Sequence, residues 1–233
     1  MACTNGKLVF RRLSGAYTVK PINFVSQYLF DKYHDAFKVL VATILSQNSS
    51  DKSALSIFND LDREIGVNPE NLHSATEEKL QRIMKRAGLY RSKSKYVKSI
   101  SDAIAAEGID LRKKFEELGP EGSRKFLTSF LGVGEKTADV VLLTVMGYPF
   151  FPVDRHVARV GTRLGITLPN DSYEAKSHKI ARLFSKRSYL RAHQLLITHG
   201  RETCKAVNPR CAGCVLNSCC DYYAALKVGK IYK

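Results

Sequence analysis

Phe37-Lys38-Val39-Leu40-Val41-Ala42-Thr43-Ile44-Leu45 reads as a buried helix. Phe37, Leu40, Val41, Ile44 and Leu45 recur at i, i+3, i+4, i+7 and i+8, which puts them on one apolar face. Outward from this stretch the same period continues. Ala54, Phe58, Leu61 and Ile65 repeat it, with Gly66 as a suitable stop. Ser74 and Glu77 fit a capping box ahead of Leu80, Ile83 and Met84. Val97, Ile100 and Ile104 mark a helix ending near Gly108, and further helical stretches hold 126–130, 138–145, 157–164, 180–184 and 195–196. Asn68-Pro69, the glycines at 119 and 122, and Leu168-Pro169-Asn170 are breaks between helices. Strand-like alternation is confined to 150–153, too short to found a sheet. The expected fold class is all-α, with about nine or ten helices.

The chain has 233 residues, enough for one sizeable core or two compact lobes. No run is long and apolar enough to span a bilayer, and the first residues lack the apolar stretch of a secretory signal. An intracellular protein without a membrane partner is therefore expected. Its 37 Lys and Arg against 22 Asp and Glu give a net charge of +15, which suits a polyanion, although a basic solubility surface has the same composition. Five of the six cysteines fall between Cys204 and Cys220, with Cys3 alone at the other end. Thiols crowded at one terminus of an intracellular chain point to a metal or cluster site more than to disulfides.

The segment with chemistry in it is Leu131-Gly132-Val133-Gly134-Glu135-Lys136-Thr137. Two glycines before a helical pattern permit a tight turn and close approach to a ligand, and the helix start that follows suits a phosphate. The full nucleotide phosphate-loop spacing is absent, so a plain helix-entry turn is the competing reading. Asp154 lies eighteen positions beyond Lys136, in Pro152-Val153-Asp154-Arg155-His156-Val157. It stands where a helix N-cap belongs, and it is also a carboxylate that could serve a nucleophilic lysine.

Together with other stretches, these motifs resemble the endonuclease III family of helix-hairpin-helix DNA glycosylases. Leu45-Ser46-Gln47-Asn48-Ser49-Ser50-Asp51 is similar to its early motif and Gly88-Leu89-Tyr90-Arg91-Ser92-Lys93 to its lesion-side loop. The hairpin, the Val-Asp-Arg-His segment and Thr198-His199-Gly200-Arg201 follow in order. Cys204, Cys211, Cys214 and Cys220 stand at C-x6-C-x2-C-x5-C, the spacing of the family's [4Fe-4S] cluster. The resemblance covers roughly residues 30–222.

It implies two helical lobes with DNA in the cleft between them: a six-helix barrel over 37–148, and a cluster domain made of 1–36 with 149–233. It implies an enzyme that excises oxidised or saturated pyrimidines such as thymine glycol from duplex DNA, then cuts the abasic strand. Lys136 would be the nucleophile, forming a Schiff base, and Asp154 its carboxylate partner. Gly132 and Gly134 would bind phosphate through the backbone, Gln47 and Leu89 would fill and wedge the gap left by the flipped nucleotide, and His156 could touch phosphate. The four cysteines would hold iron and sulfur, with zinc as the competing metal and Cys219 as a rival fourth ligand. The partner would be double-stranded DNA with damaged bases or abasic sites, bound by a monomer. Leu131 departs from the family's usual proline and Thr128 from a frequent glutamate. An 8-oxoguanine glycosylase and a non-catalytic DNA-binding iron–sulfur protein are the alternatives. A basic patch is also expected at Lys85, Arg86, Arg91, Lys93, Lys95 and Lys98.

Overall fold

The computed structural model describes residues 3–229. Among them there is no strand, and thirteen α-helices are joined by turns and by a longer loop over 203–216. They are α1 (Gly6–Ala16), α2 (Val25–Tyr33), α3 (Ala36–Ser46), α4 (Asp51–Glu64), α5 (Pro69–Ser74), α6 (Glu77–Met84) and α7 (Tyr90–Glu107). Then follow α8 (Leu111–Thr128), α9 (Glu135–Met146), α10 (Arg155–Arg163), α11 (Tyr173–Ala181), α12 (Tyr189–Glu202) and α13 (Asp221–Lys227). The count exceeds the expected one because α1, α2, α5 and α13 bury few residues or none, so their periodicity is faint.

Side-chain caps set most helix starts. Asp35, Ser50, Asn68, Asp110 and Ser172 each accept a hydrogen bond from a backbone N–H in the turn that follows. Each such cap stabilises its helix by about 1 kcal/mol. The capping box expected at Ser74 is displaced: Ser74 ends α5, and Thr76 caps α6 by accepting from the Lys79 amide. Asn68-Pro69 starts a helix instead of merely interrupting one, since proline at N1 has no N–H to lose. The break at 119–122 is real. Gly119 takes φ 64° and ψ −177°, so α8 is two helical segments joined at a kink before Pro120.

The described residues form two compact bodies, residues 20–148, and residues 3–19 with 149–229. The boundary falls at 20, where the sequence suggested 37. The reason is α2, whose Val25, Ser26 and Leu29 are buried and which packs on α3. Within the 20–148 body α3 is the central helix: all its residues from 36 to 45 except Lys38 are buried, and α2, α4, α7 and α9 surround it. Its one buried hydroxyl is satisfied, since Thr43 donates to the Val39 carbonyl at 2.7 Å and meets the Ser26 hydroxyl at 2.8 Å. A buried ion pair joins α8 to α9, with Arg124 bidentate on the fully buried Asp139 at 2.7 and 3.2 Å.

In the other body α10 packs on α11, α12 and α13, and α1 packs on α12. Gly200 lets α10 and α12 approach: a Cβ there would stand 2.9 Å from the His156 Cβ. Phe151 anchors this core, stacked on Phe184 at 5.8 Å and edge-on to Tyr189 at 5.4 Å. The amide of Cys3 donates to the Leu164 carbonyl at 3.1 Å, and Cys3 is disulfide-bonded to Cys219.

Candidate active site and thiol-lined cavity

In the 20–148 body the hairpin turn of residues 130–134 leads into α9. Gly132 has φ 82°, and a Cβ there would lie 2.2 Å from the Tyr96 ring, so both the conformation and the space demand glycine. Gly134 is different. It precedes α9 with extended dihedrals, offers no side-chain cap, and has open space around its Cα. The first amides of α9 are thus not covered by a capping side chain, an arrangement that favours an anion. Lys136 is in this first turn and half-buried, between the buried Val133 and Thr137.

Gln47, at the end of α3, reaches this turn directly. Its Nε2 donates to the Gly132 carbonyl at 2.9 Å and to the Thr137 hydroxyl at 3.1 Å. The loop holding Leu89 lies alongside, since a Cβ on Gly88 would be 3.6 Å from the Asn48 carbonyl oxygen. Leu89 precedes α7 with φ 60° and ψ 33° and is 60% exposed. A leucine in left-handed conformation with its side chain in solvent is unfavourable twice over. The structure therefore brings Gln47, Leu89, Gly132, Gly134 and Lys136 to one rim of this body.

Two further side chains brace the rim: Tyr96, for which packing is the ordinary use of a tyrosine, and Lys93, whose burial sequence reading missed. Tyr96 fills the place a Cβ on Gly132 would need. Lys93 is 1% exposed, and its Nζ donates to the Leu45 carbonyl at 2.8 Å, at the C-terminal end of α3. Burial pushes its pKa below the ordinary lysine value. Lys93 is thus withdrawn from the expected basic patch, and Arg86 and Lys98 are ion-paired with Asp60 and Asp102. The spacing of Lys93 from Val97, Ile100 and Ile104 is the signal that places it on a buried face.

In the other body Asp154 caps α10, its Oδ1 accepting from the amides of His156 at 2.9 Å and Val157 at 2.8 Å. The His156 Nδ1 lies 3.1 Å from Nη2 of Arg159. Because a guanidinium only donates, that nitrogen accepts and the remaining proton sits on Nε2. Burial, with Arg159, Arg201 and Arg155 nearby, lowers the His156 pKa against the opposing pull of Asp154. His156 is therefore a neutral donor, not a cation.

Cys204, Cys211, Cys214 and Cys220 line a single cavity with Arg163, His199 and Tyr222. Among the described residues no three His, Cys, Asp or Glu side chains are arranged to hold a metal ion. Arg163 grips the loop that carries the first thiol: it donates to Sγ of Cys204 at 3.4 Å, to the Lys205 carbonyl at 2.6 Å and to the Ala206 carbonyl at 3.1 Å. Its guanidinium also lies over the Tyr222 ring at 4.5 Å. Burial raises the Cys214 thiol pKa, and the nearby Cys204, Cys220 and Cys211 raise it further. Such a crowd ionises together only around a cation. His199 is 1% exposed, with a pKa pushed down to about 4 by burial and by Arg159. Its Nδ1 meets the Tyr17 hydroxyl at 2.8 Å, so it is a neutral packed histidine. Cys219 is not available as a rival ligand, because its sulfur is bonded to Cys3.

With this geometry in place, comparison with known proteins is informative. Residues 41–186 match the HhH-GPD superfamily of base excision DNA repair proteins. Endonuclease III of Sulfolobus acidocaldarius is 37% identical over 216 residues, covering 92% of this chain and 95% of that protein. A trapped covalent endonuclease III–DNA intermediate superposes with a TM-score of 0.73 at 25% identity, over 95% of this chain and 98% of that one. A non-covalent endonuclease III–DNA complex gives 0.71 at 28% identity, over 83% and 86%.

Proposed function

The chain belongs to the endonuclease III family of base excision DNA repair proteins, and from that premise we propose how its own residues do the work. It is a DNA N-glycosylase with abasic-site lyase activity, and it binds DNA. Its substrates are oxidised or saturated pyrimidines, with thymine glycol as the type case. The observation that carries this reading is the placement of Lys136 in the first turn of α9, beside a glycine hairpin whose carbonyl is held by Gln47.

Base removal requires the nucleotide to leave the stack. Lys136, once deprotonated, donates its Nζ lone pair to the sugar C1′ while the glycosidic bond breaks, and the base departs with the electrons of that broken bond and takes up a proton. Opening of the sugar ring leaves an iminium between Nζ and C1′. Loss of a C2′ proton then expels the 3′ phosphate, and water releases the lysine. Asp154 supplies the carboxylate that accepts the lysine proton and offsets positive charge growing on the sugar. The amides around Gly132 and Gly134 hold a backbone phosphate, which positions the strand without reading its sequence.

Leu89 and Gln47 serve the gap. An exposed, strained leucine suits a wedge between bases, and an amide with two donors and an acceptor suits an orphan base. While its Nε2 keeps hold of Gly132 and Thr137, Gln47 offers its Oε1 acceptor to the orphan base. His156 contributes a neutral Nε2–H donor to a phosphate oxygen. Cys204, Cys211, Cys214 and Cys220 hold a [4Fe-4S] cluster. Four thiols lining one cavity, at the C-x6-C-x2-C-x5-C spacing, fit this four-thiolate centre. When bound, the cluster supplies the charge that keeps the four sulfurs ionised and the cross-links that order residues 204–220.

Borohydride trapping tests the reading. The protein is incubated with duplexes carrying thymine glycol, dihydrouracil, 8-oxoguanine or an abasic site. A covalent adduct with the pyrimidine lesions, absent in Lys136→Gln while DNA binding persists, is expected. An adduct with 8-oxoguanine alone would reassign the substrate, and no adduct even at an abasic site would remove Lys136 as nucleophile.

A further inference from the structure

We propose that the Cys3–Cys219 cross-link is a redox-set staple that keeps a fifth sulfur out of the cluster's ligand set and holds Cys220 at the thiol cavity. It rests on the reading that this cavity takes an iron–sulfur cluster.

The bond joins residues 216 positions apart, with Cα atoms 5.0 Å from each other. Cys219 is the immediate neighbour of the ligand Cys220 and ends a short 3-10 turn, Asn217–Cys219. The stretch from Cys214 to Cys220 is held by its own turn bonds and by the Cys220 thiol donating to the Arg163 carbonyl at 3.2 Å, and Leu216 is its one buried residue. The N-terminal segment grips this stretch in three places. Arg12 of α1 donates to the Val215 carbonyl at 3.3 Å and to the Ser218 hydroxyl at 2.7 Å, and the disulfide adds the third. The other end of the staple is firmly seated, with Cys3 1% exposed and its amide on the Leu164 carbonyl, just beyond α10.

The chemistry explains why a covalent bond belongs here. Four thiolates are needed, and the segment from 204 to 220 holds five thiols, two of them adjacent. A free Cys219 would compete with Cys220 for the same corner, and exchange between them would open a path for iron to leave. Joined to Cys3, the Cys219 sulfur has no thiolate to offer. Forming the bond releases two protons and two electrons, taken up by dioxygen or by a small-molecule disulfide. A phosphine reverses it, becoming its oxide while the two sulfurs gain protons from water.

The test uses the iron-loaded full chain, its Cys3→Ser and Cys219→Ser variants, a Cys3→Ser/Cys220→Ser double variant, and Cys220→Ser alone as the control for the double variant. Alkylation after unfolding and chelation without reductant is expected to count four thiols in the parent. Release of iron to a chromogenic ferrous chelator is expected to run about three- to tenfold faster in both single variants and in phosphine-treated parent. Phosphine treatment makes the comparison independent of any folding defect in the variants. The double variant is expected to retain iron through the freed Cys219, whereas Cys220→Ser with the staple intact loses it. Six alkylated thiols in unreduced parent, or equal release rates throughout, would overturn the proposal while leaving the cluster reading intact. A parent chain that binds no iron and has no visible absorption band would sink the cluster reading, and the staple's role with it.

Discussion

The side-chain amide of Gln47 donates to the main-chain carbonyl of Gly132 at 2.9 Å, so the end of the central helix α3 is tied to the turn that delivers Lys136. A second bond from the same nitrogen, to Thr137 at 3.1 Å, spans the lysine itself. One amide thus braces the residues on either side of the proposed nucleophile. Gln47→Ala removes both bonds, each worth about 1 kcal/mol net. Gln47→Glu keeps the reach but sets a carboxylate against a carbonyl oxygen with nothing to donate. The expected order of single-turnover base release is Gln47, then Ala, then Glu, with at least about a tenfold loss in Glu. A Glu variant as active as the parent would show that the brace is dispensable.

Leu89 pairs strain with exposure, at φ 60° and 60% accessible. Asparagine tolerates the left-handed region better than leucine does, and an exposed leucine contributes no packing. Leu89→Asn is therefore expected to raise folding stability by about 0.5–1 kcal/mol and at the same time to slow lesion excision. Urea unfolding and single-turnover assays on one preparation check both signs. A variant that gains stability and keeps its full rate would mean the leucine is incidental.

Asp154 illustrates how far the sequence could be read. Its position before Val157 and Val160 announced a helix cap, and the structure has that cap. The central helices α3 and α4 were legible for the same reason, a wide buried face on a 3.6-residue period. Helices with few buried residues, such as α1, were not, since Val9 and Leu13 are too few to set a pattern. Lys93 looked like one more member of a basic run because composition says nothing about which face a residue takes, and it is buried. The pairing of Cys3 with Cys219 lay beyond reach, since connectivity between distant thiols is fixed by tertiary packing alone.

The cap and the charge of Asp154 can be separated. Asparagine caps helices as well as aspartate does, through the same oxygen, so Asp154→Asn is expected to unfold within about 0.5 kcal/mol of the parent. The amide cannot take a proton from a lysine, and base release is expected to fall by at least about a hundredfold. Equal thermal melts with an unchanged rate would leave Asp154 a cap and nothing more. A lost rate accompanied by a lost melt would need Asp154→Ser, another good cap without charge, to be resolved.

Lys93 provides a test by pH. Its ammonium is buried, with the Leu45 carbonyl 2.8 Å away, and burial depresses its pKa in the folded chain below the unfolded value. Between the folded and the unfolded pKa the unfolded chain binds more protons, so stability rises with pH across that alkaline window. Below the folded pKa the penalty of holding a buried charge is present in full. Lys93→Met keeps the length and removes both the charge and the bond to α3. It is expected to fold and to lose the alkaline rise in stability that the parent shows. It should also loosen the end of α3, and with it the Gln47 brace, so that base release falls while trapping at an abasic site persists. Lys93→Arg retains a donor and is expected to recover part of that rate. Parallel stability curves for parent and Lys93→Met from neutral to alkaline pH would contradict a depressed pKa for this lysine.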